Sequence, residues 1–192
     1  MCSSDLALWL AAGAGSGAAS VTILWAWERL AIATRHLGAD TPVLVPGMVF
    51  GLVVGALALA HRPAAGWHMA TWGVVSTLAH HLAVKLATGF KSEAHIAVAG
   101  ISAGALGAFL LGLAAVVLFR PASWVRHLMA FTVTGAVFGC LLTPALRADG
   151  WGLLILYVPW QAAVAFVASF VFIPARRRPM VETAHLNPRV RT

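Results

Sequence analysis

Apolar residues fill the chain in six long blocks, and polar or proline-bearing breaks separate them. The blocks cover residues 7–27, 43–60, 68–87, 96–119, 124–143 and 151–173, the first open to extension beyond Trp27. Each is close to the length of about 20 residues that a helix needs to cross hydrocarbon. Strict apolar–polar alternation in segments of about ten residues, the mark of a barrel strand, is missing. A lipid-embedded backbone must satisfy its own hydrogen bonds, which leaves the helix as the remaining solution. The pattern predicts an all-α polytopic membrane protein, a bundle of six transmembrane helices over 7–173.

The breaks fit these cuts. His61-Arg62-Pro63 follows the second block, Arg120-Pro121 the fourth and Pro174 the sixth, with Arg176, Arg177 and Arg178 just beyond. Proline cannot continue a helix, and charges leave the hydrocarbon. Asp149-Gly150 reads as a turn between the fifth and sixth blocks. Trp67, Trp124, Trp151 and Trp27 stand at block ends, the depth an amphipathic indole prefers.

Composition changes the picture from long helices to lipid-embedded ones. The chain has 192 residues, 60% hydrophobic and 10% charged, where soluble domains carry about 25% charged residues. Its mean hydropathy is +0.87, too high for a surface that water must wet. Lys and Arg sort unevenly between the two sides. Arg62, Arg120, Arg126, Arg176–Arg178, Arg189 and Arg191 lie on one side; Arg29, Arg35, Lys85, Lys91 and Arg147 lie on the other, with Glu28, Asp40, Glu93 and Asp149. The richer side is expected in the cytoplasm. Both ends of this fragment then face the cytoplasm, in a cell membrane read as a bacterial inner membrane. The basic segment 174–192 is expected to be a disordered tail near anionic headgroups. Without an aromatic stacking platform the charges point to lipid rather than to nucleic acid.

The first six residues, MCSSDL, match the translation of a common sequencing adapter read from a GTG start. Residues 1–6 are therefore expected to be foreign sequence, and Cys2 and Asp5 carry no weight. Cys140 then remains, in an apolar run and expected to be buried, which argues against a disulfide framework or a thiolate metal site.

Small residues recur every four positions: Gly47, Gly51 and Gly55 in the second block; Gly100, Gly104, Ala108 and Gly112 in the fourth; Gly13 and Gly17 in the first; Gly135 and Gly139 in the fifth. That spacing puts them on one helix face, where backbones can approach closely. The expectation is glycine-mediated packing, with the second helix against the fourth; a homo-oligomer seam or a larger membrane complex is the alternative use of such faces. A faint repeat accompanies the rows. Gly47, Gly51 and Gly55 map onto Gly104, Ala108 and Gly112, and His68-Met69-Ala70 resembles His127-Leu128-Met129-Ala130 with one insertion.

The third block carries the unusual chemistry, in STLAHHLAVK (76–85). Thr77, His81 and Lys85 are four apart and share a row with Gly73; Ser76 and His80 form the adjacent row. Ionisable groups in spanning helices face the bundle interior or a watery cavity, so the Thr77–His81–Lys85 row is expected to point inward. Glu28 and Arg29, His95, and Tyr157 with Gln161 fall at similar depth on neighbouring blocks. A polar vestibule of Glu28, Arg29, His80, His81, Lys85, His95 and Gln161, open to the outside, is the candidate solute site. Its cations favour a small polar or anionic solute, and a histidine can couple movement to protons.

Other chemistries fit less well. A b-type haem needs two histidines at equal depth, whereas His95 and His127 lie near opposite surfaces. No HExxH, GxSxG or paired aspartate is present, and Ser76 and Ser102 have no base arrangement beyond the histidine pair. No metal, cofactor or catalytic residue is therefore expected. The functional expectation is transport or permeation of a small solute, with a non-catalytic accessory subunit as the alternative.

Overall fold

The computed structural model describes residues 3–34, 41–61, 66–90, 95–148 and 151–173. The expected tail 174–192 lies outside the described residues, as do Arg35, Arg62, Lys91 and Glu93. The described chain is helical, with no strand. Helix α1 is Ser3–Thr34, α2 Val45–His61, α3 Gly66–Gly89, α4 Ile96–Phe119, α5 Trp124–Gly139, α6 Leu142–Arg147 and α7 Leu153–Phe172; a 3₁₀ turn, Thr41–Leu44, leads into α2. Among the described residues, four stretches are long and apolar enough to cross a membrane: Ser3–Leu30, Ile96–Phe119, Trp124–Arg147 and Leu153–Phe172. Two of the six expected spans fall short for separate reasons. Helix α2 has 17 residues, about 25 Å at 1.5 Å per residue. Helix α3 has 24 residues, but its histidines and lysine dilute its hydropathy.

One boundary takes up the open end and one differs from expectation. Helix α1 runs past Trp27 through Glu28 and Arg29 to Thr34, because neither charged residue breaks a helix. The fifth block divides at Cys140–Leu141. Pro144 has no N–H to offer the carbonyl four residues back, that of Cys140. The chain tightens there, and the Leu141 N–H reaches the Phe138 carbonyl at 3.1 Å, three residues back. Cys140 is exposed on this break rather than buried, and its thiol donates to the Val137 carbonyl.

The helices alternate in direction. Trp9 near the start of α1 packs on His61 at the end of α2 and on Phe172 at the end of α7. Trp25 near the other end of α1 stacks on Trp151, just before α7. We call the Trp9 end lower and the Trp25 end upper. Each rod contacts the next in chain order, and α7 returns to pack extensively on α1, so α1, α2, α3, α4, α5 and α7 close a ring. Trp9, Trp72, Phe119 and Phe172 form an aromatic cluster at the lower end, with Phe172 edge-on to Trp72 and Phe119.

The small-residue rows bring backbones together in three antiparallel pairs. Gly100 and Gly104 of α4 meet the backbone of Gly139 and Gly135 of α5. Gly13 and Gly17 of α1 meet the backbone of α7 at Gln161–Ala162 and Tyr157–Val158. Gly47 and Gly51 of α2 meet Ser76, Thr77 and Gly73 of α3, and Gly55 meets Trp72 and Met69. The expected α2–α4 pairing is therefore corrected: α2 turns its row to α3, and α4 turns its row to α5. Spacing identifies a helix face but not the neighbour across it, and short connections favour the next helix in the chain.

The repeat has a counterpart in these contacts. Gly55 faces Trp72 and Met69, while Gly112 faces Phe131 and Leu128, which stand four and one residues after His68 and His127 respectively when the two histidines are aligned without the insertion. The pattern extends to a third pair. The three rising helices carry Trp9-Gly13-Gly17, Trp72-Ser76-His80 and Phe131-Gly135-Gly139, an aromatic residue followed at four-residue steps, and all nine are buried. Where α1 and α5 place glycine, α3 places His80. The Trp72 indole N–H has no hydrogen-bond partner among the described residues, so Trp72→Phe forfeits packing but no hydrogen bond. Trp72→Phe is expected to cost less than half of what Trp72→Ala costs, the latter being about 3–5 kcal/mol, as read from denaturation in detergent.

Candidate functional site

On α3 the buried residues are Trp72, Ser76, Ala79 and His80. Thr77 and His81 are half-buried and Lys85 is exposed. The inward row is thus the one beside the expected Thr77–His81–Lys85 stripe. Small Ser76 and Ala79 fit against α2 and α4, and Lys85 is near enough to the helix end to lie outside the core. The Ser76 hydroxyl donates to the Gly47 carbonyl at 2.7 Å, which makes it a helix–helix tie.

His80 is 9% exposed. Its Nε2 lies 3.3 Å from the Tyr157 hydroxyl of α7, across the interior from α3. Gly47 makes this possible, since a side chain there would collide with the His80 Cβ and the α3 backbone. Above the pair lies a partly open cavity of about 380 Å³, walled by α3, α4, the α5–α6 break and α7. His80, Tyr157 and Trp160 form its floor; Gly104, Leu142 and Leu156 are among its walls; Thr88 and Phe90 stand at its rim. Eight residues of α3 separate His80 from Thr88, a depth of about 12 Å. Below His80 lies a void of about 10 Å³, bounded by Phe50 and Leu111. His80 stands between this void and the cavity, at the cavity's floor.

A second polar cluster ties α1 to α7. Gln161 is 1% exposed. The Ser16 hydroxyl lies 2.6 Å from its Oε1 and 2.8 Å from the Gly13 carbonyl, and its one proton serves one acceptor at a time. Gln161 Nε2 donates to the Ser20 hydroxyl at 3.4 Å, and Ser20 donates to the Ser16 carbonyl at 2.7 Å. None of its side chains lines the cavity above His80. Replacing Gln161 by Leu leaves both serines with backbone acceptors. The expected loss is about 1 kcal/mol, in the range of interhelical hydrogen bonds in lipid, measurable by denaturant unfolding.

Of the seven expected vestibule residues, His80 lines the cavity and the other six do not. Gln161 lies in the α1–α7 cluster. Glu28, Arg29, Lys85 and His95 are exposed. The Arg29 guanidinium sits 4.9 Å from the centre of the Trp25 ring, itself stacked on Trp151. His81 is half-buried, and its Nδ1 has no hydrogen-bond partner among the described residues. Similar depth along the helices did not fix direction around each axis, and the ring order sets the upper end of α1 away from the cavity. Sequence reasoning gave no role to Ser16 and Ser20, whose four-residue step beside Gly13 and Gly17 was an available signal, nor to Trp160. Sequence places Tyr157 at the depth of His80, and only the fold turns the two side chains toward each other.

No three His, Cys, Asp or Glu side chains converge among the described residues. Comparison with protein-family models, with curated proteins and with solved structures returns no match.

Proposed function

We propose that the chain is an integral membrane protein of six spans that binds a small solute in the upper half of its helix ring and passes it across the bilayer. The observation that carries this reading is His80: in the row where the two equivalent helices bury glycine, α3 buries an imidazole that faces Tyr157 and a cavity. Packing alone would favour a small residue there, as it does at Gly17 and Gly139. The break between α5 and α6 supports it, because interrupted helices beside a cavity are a recurrent device of transporters. Membrane residence is supported by the outer surface, where Leu52, Val74, Val117 and Val133 are more than half exposed, a belt that water would oppose. Close backbone contact along the glycine rows supplies the packing that lipid does not drive by hydrophobicity. The cations once expected to attract an anion lie outside the cavity, so they lend no support to an anionic solute.

The orientation follows from the Lys and Arg count, with the lower end in the cytoplasm. Alkaline phosphatase fused after His61 is expected to be inactive, and after Phe90 active; the opposite result would invert the topology. Solute movement is tested in proteoliposomes with neutral alcohols, short carboxylates and inorganic anions. One class is expected to cross faster than in empty liposomes, and Ala103→Phe, which fills the cavity, is expected to remove that gain. Absence of any flux, together with purification in a fixed ratio with one partner protein, would establish the accessory-subunit reading instead.

A further inference from the structure

We infer that the cavity above His80 takes a neutral, hydroxyl-headed amphiphile of about a dozen non-hydrogen atoms, an aliphatic or terpenoid alcohol, held head-down against Tyr157. This rests on the solute-site reading above and adds the chemical class of the ligand.

Size comes first. A volume of about 380 Å³, at about 30 Å³ for an atom the size of a water molecule, holds about a dozen non-hydrogen atoms. Charge comes next. Among the described residues that line it, none is Asp, Glu, Lys or Arg, and the walls are Ala, Gly, Val, Leu, Ile and Phe. A carboxylate or ammonium head at the floor would lose its water and gain no counter-ion, a heavy cost in so apolar a site. The ligand is therefore neutral and largely apolar.

The floor then selects the head group. His80 Nε2 and the Tyr157 hydroxyl share one contact at 3.3 Å, and either can be its donor. If Tyr157 donates its proton to Nε2, the phenolic oxygen keeps lone pairs that accept from a ligand. If Nε2 carries the proton and donates, the phenolic O–H is left to donate to a ligand. A ligand hydroxyl satisfies both arrangements, because it donates and accepts. A ketone or ester serves only the second, and a hydrocarbon serves neither. Thr88, eight residues above at the rim, is too far to compete for the same head.

The test uses the full chain in phosphatidylcholine nanodiscs and a diazirine-bearing analogue of 1-decanol, which is about the required size. Photolabel is expected on the cavity walls around Ala99, Ala103, Leu142 and Leu156. Unlabelled 1-decanol should displace it at least about tenfold more effectively than decanoate, decylammonium or decane. Tyr157→Phe should remove most of that preference, the effect of one lost hydrogen bond. Ala103→Phe should abolish labelling; should that variant misfold, Ala87→Phe at the half-buried upper wall serves the same purpose. Equal displacement by decanoate would overturn the neutral class, and equal displacement by decane the hydroxyl head. Label confined to the outer, lipid-facing surface would overturn the site. These outcomes separate from failure of the transport reading: selective labelling without flux leaves the ligand class standing and removes transport, whereas flux of an anion with no alcohol preference does the reverse.

Discussion

Gly104→Leu is expected to prevent the bundle from assembling, with a loss of about 3 kcal/mol or more, at or beyond the upper end of ordinary overpacking. A Cβ at Gly104 would collide with the Gly135 carbonyl oxygen and lie 2.9 Å from the Gly139 Cα. Both obstacles are backbone, so no rotamer change relieves them. The two helices must separate, and the contacts of α4 with α5, the most extensive in the bundle, separate with them. Gly135→Leu should fail in the same way, since a Cβ there meets the Gly104 carbonyl and the Ala108 methyl. Gly15 supplies the control. It lies on α1 with open space around it, so Gly15→Leu should express and melt like the parent, or slightly higher because glycine disfavours helix. Thermal melts in detergent of the three variants decide the matter. If Gly104→Leu melts with Gly15→Leu, the α4–α5 contact carries little of the stability.

These positions also show where sequence was informative. Apolar block length located six helical rods to within a few residues for α2, α4 and α7, because hydrocarbon-length apolar runs have few alternative folds. Four-residue spacing identified the buried faces of α1, α2, α4 and α5. Neighbours were less legible. Gly47, Gly51 and Gly55 could have faced any helix with a small surface, and only the closed ring assigns them to α3. The break at Cys140–Leu141 had a signal in Pro144, which lies just past the fifth block and leaves the Cys140 carbonyl without its helical partner, but the unbroken apolar run around it hid the interruption. The site was the least legible part. Depth can be counted along a helix, and it placed His80, Tyr157 and Gln161 at similar height. Azimuth depends on packing, and it sent Lys85 and Arg29 outward, Gln161 toward Ser16, and His80 alone of the seven toward the cavity.

His80 and Tyr157 can be separated into structural and functional roles by a double substitution. Tyr157→Phe keeps the ring and removes the hydroxyl, which leaves Nε2 of a 9% exposed imidazole without that contact. The expected cost is about 1–3 kcal/mol, that of a buried polar atom losing its partner. His80→Phe similarly strips the Tyr157 hydroxyl of the imidazole contact. Replacing both removes both polar groups together, and the double variant should recover much of the stability lost by either single one, because an apolar pair needs no partner. Binding should not recover. With neither hydroxyl nor imidazole at the floor, the preference for 1-decanol over decane, already mostly lost in Tyr157→Phe, should vanish in the double variant, as should any flux that depends on it. The comparison therefore plots two quantities against each other, melting temperature and alcohol selectivity. If selectivity returns in the double variant along with stability, the pair is only a packing device, and His80 occupies its place among the glycines for structural reasons. If stability returns and selectivity does not, the imidazole in the glycine row is there for the ligand.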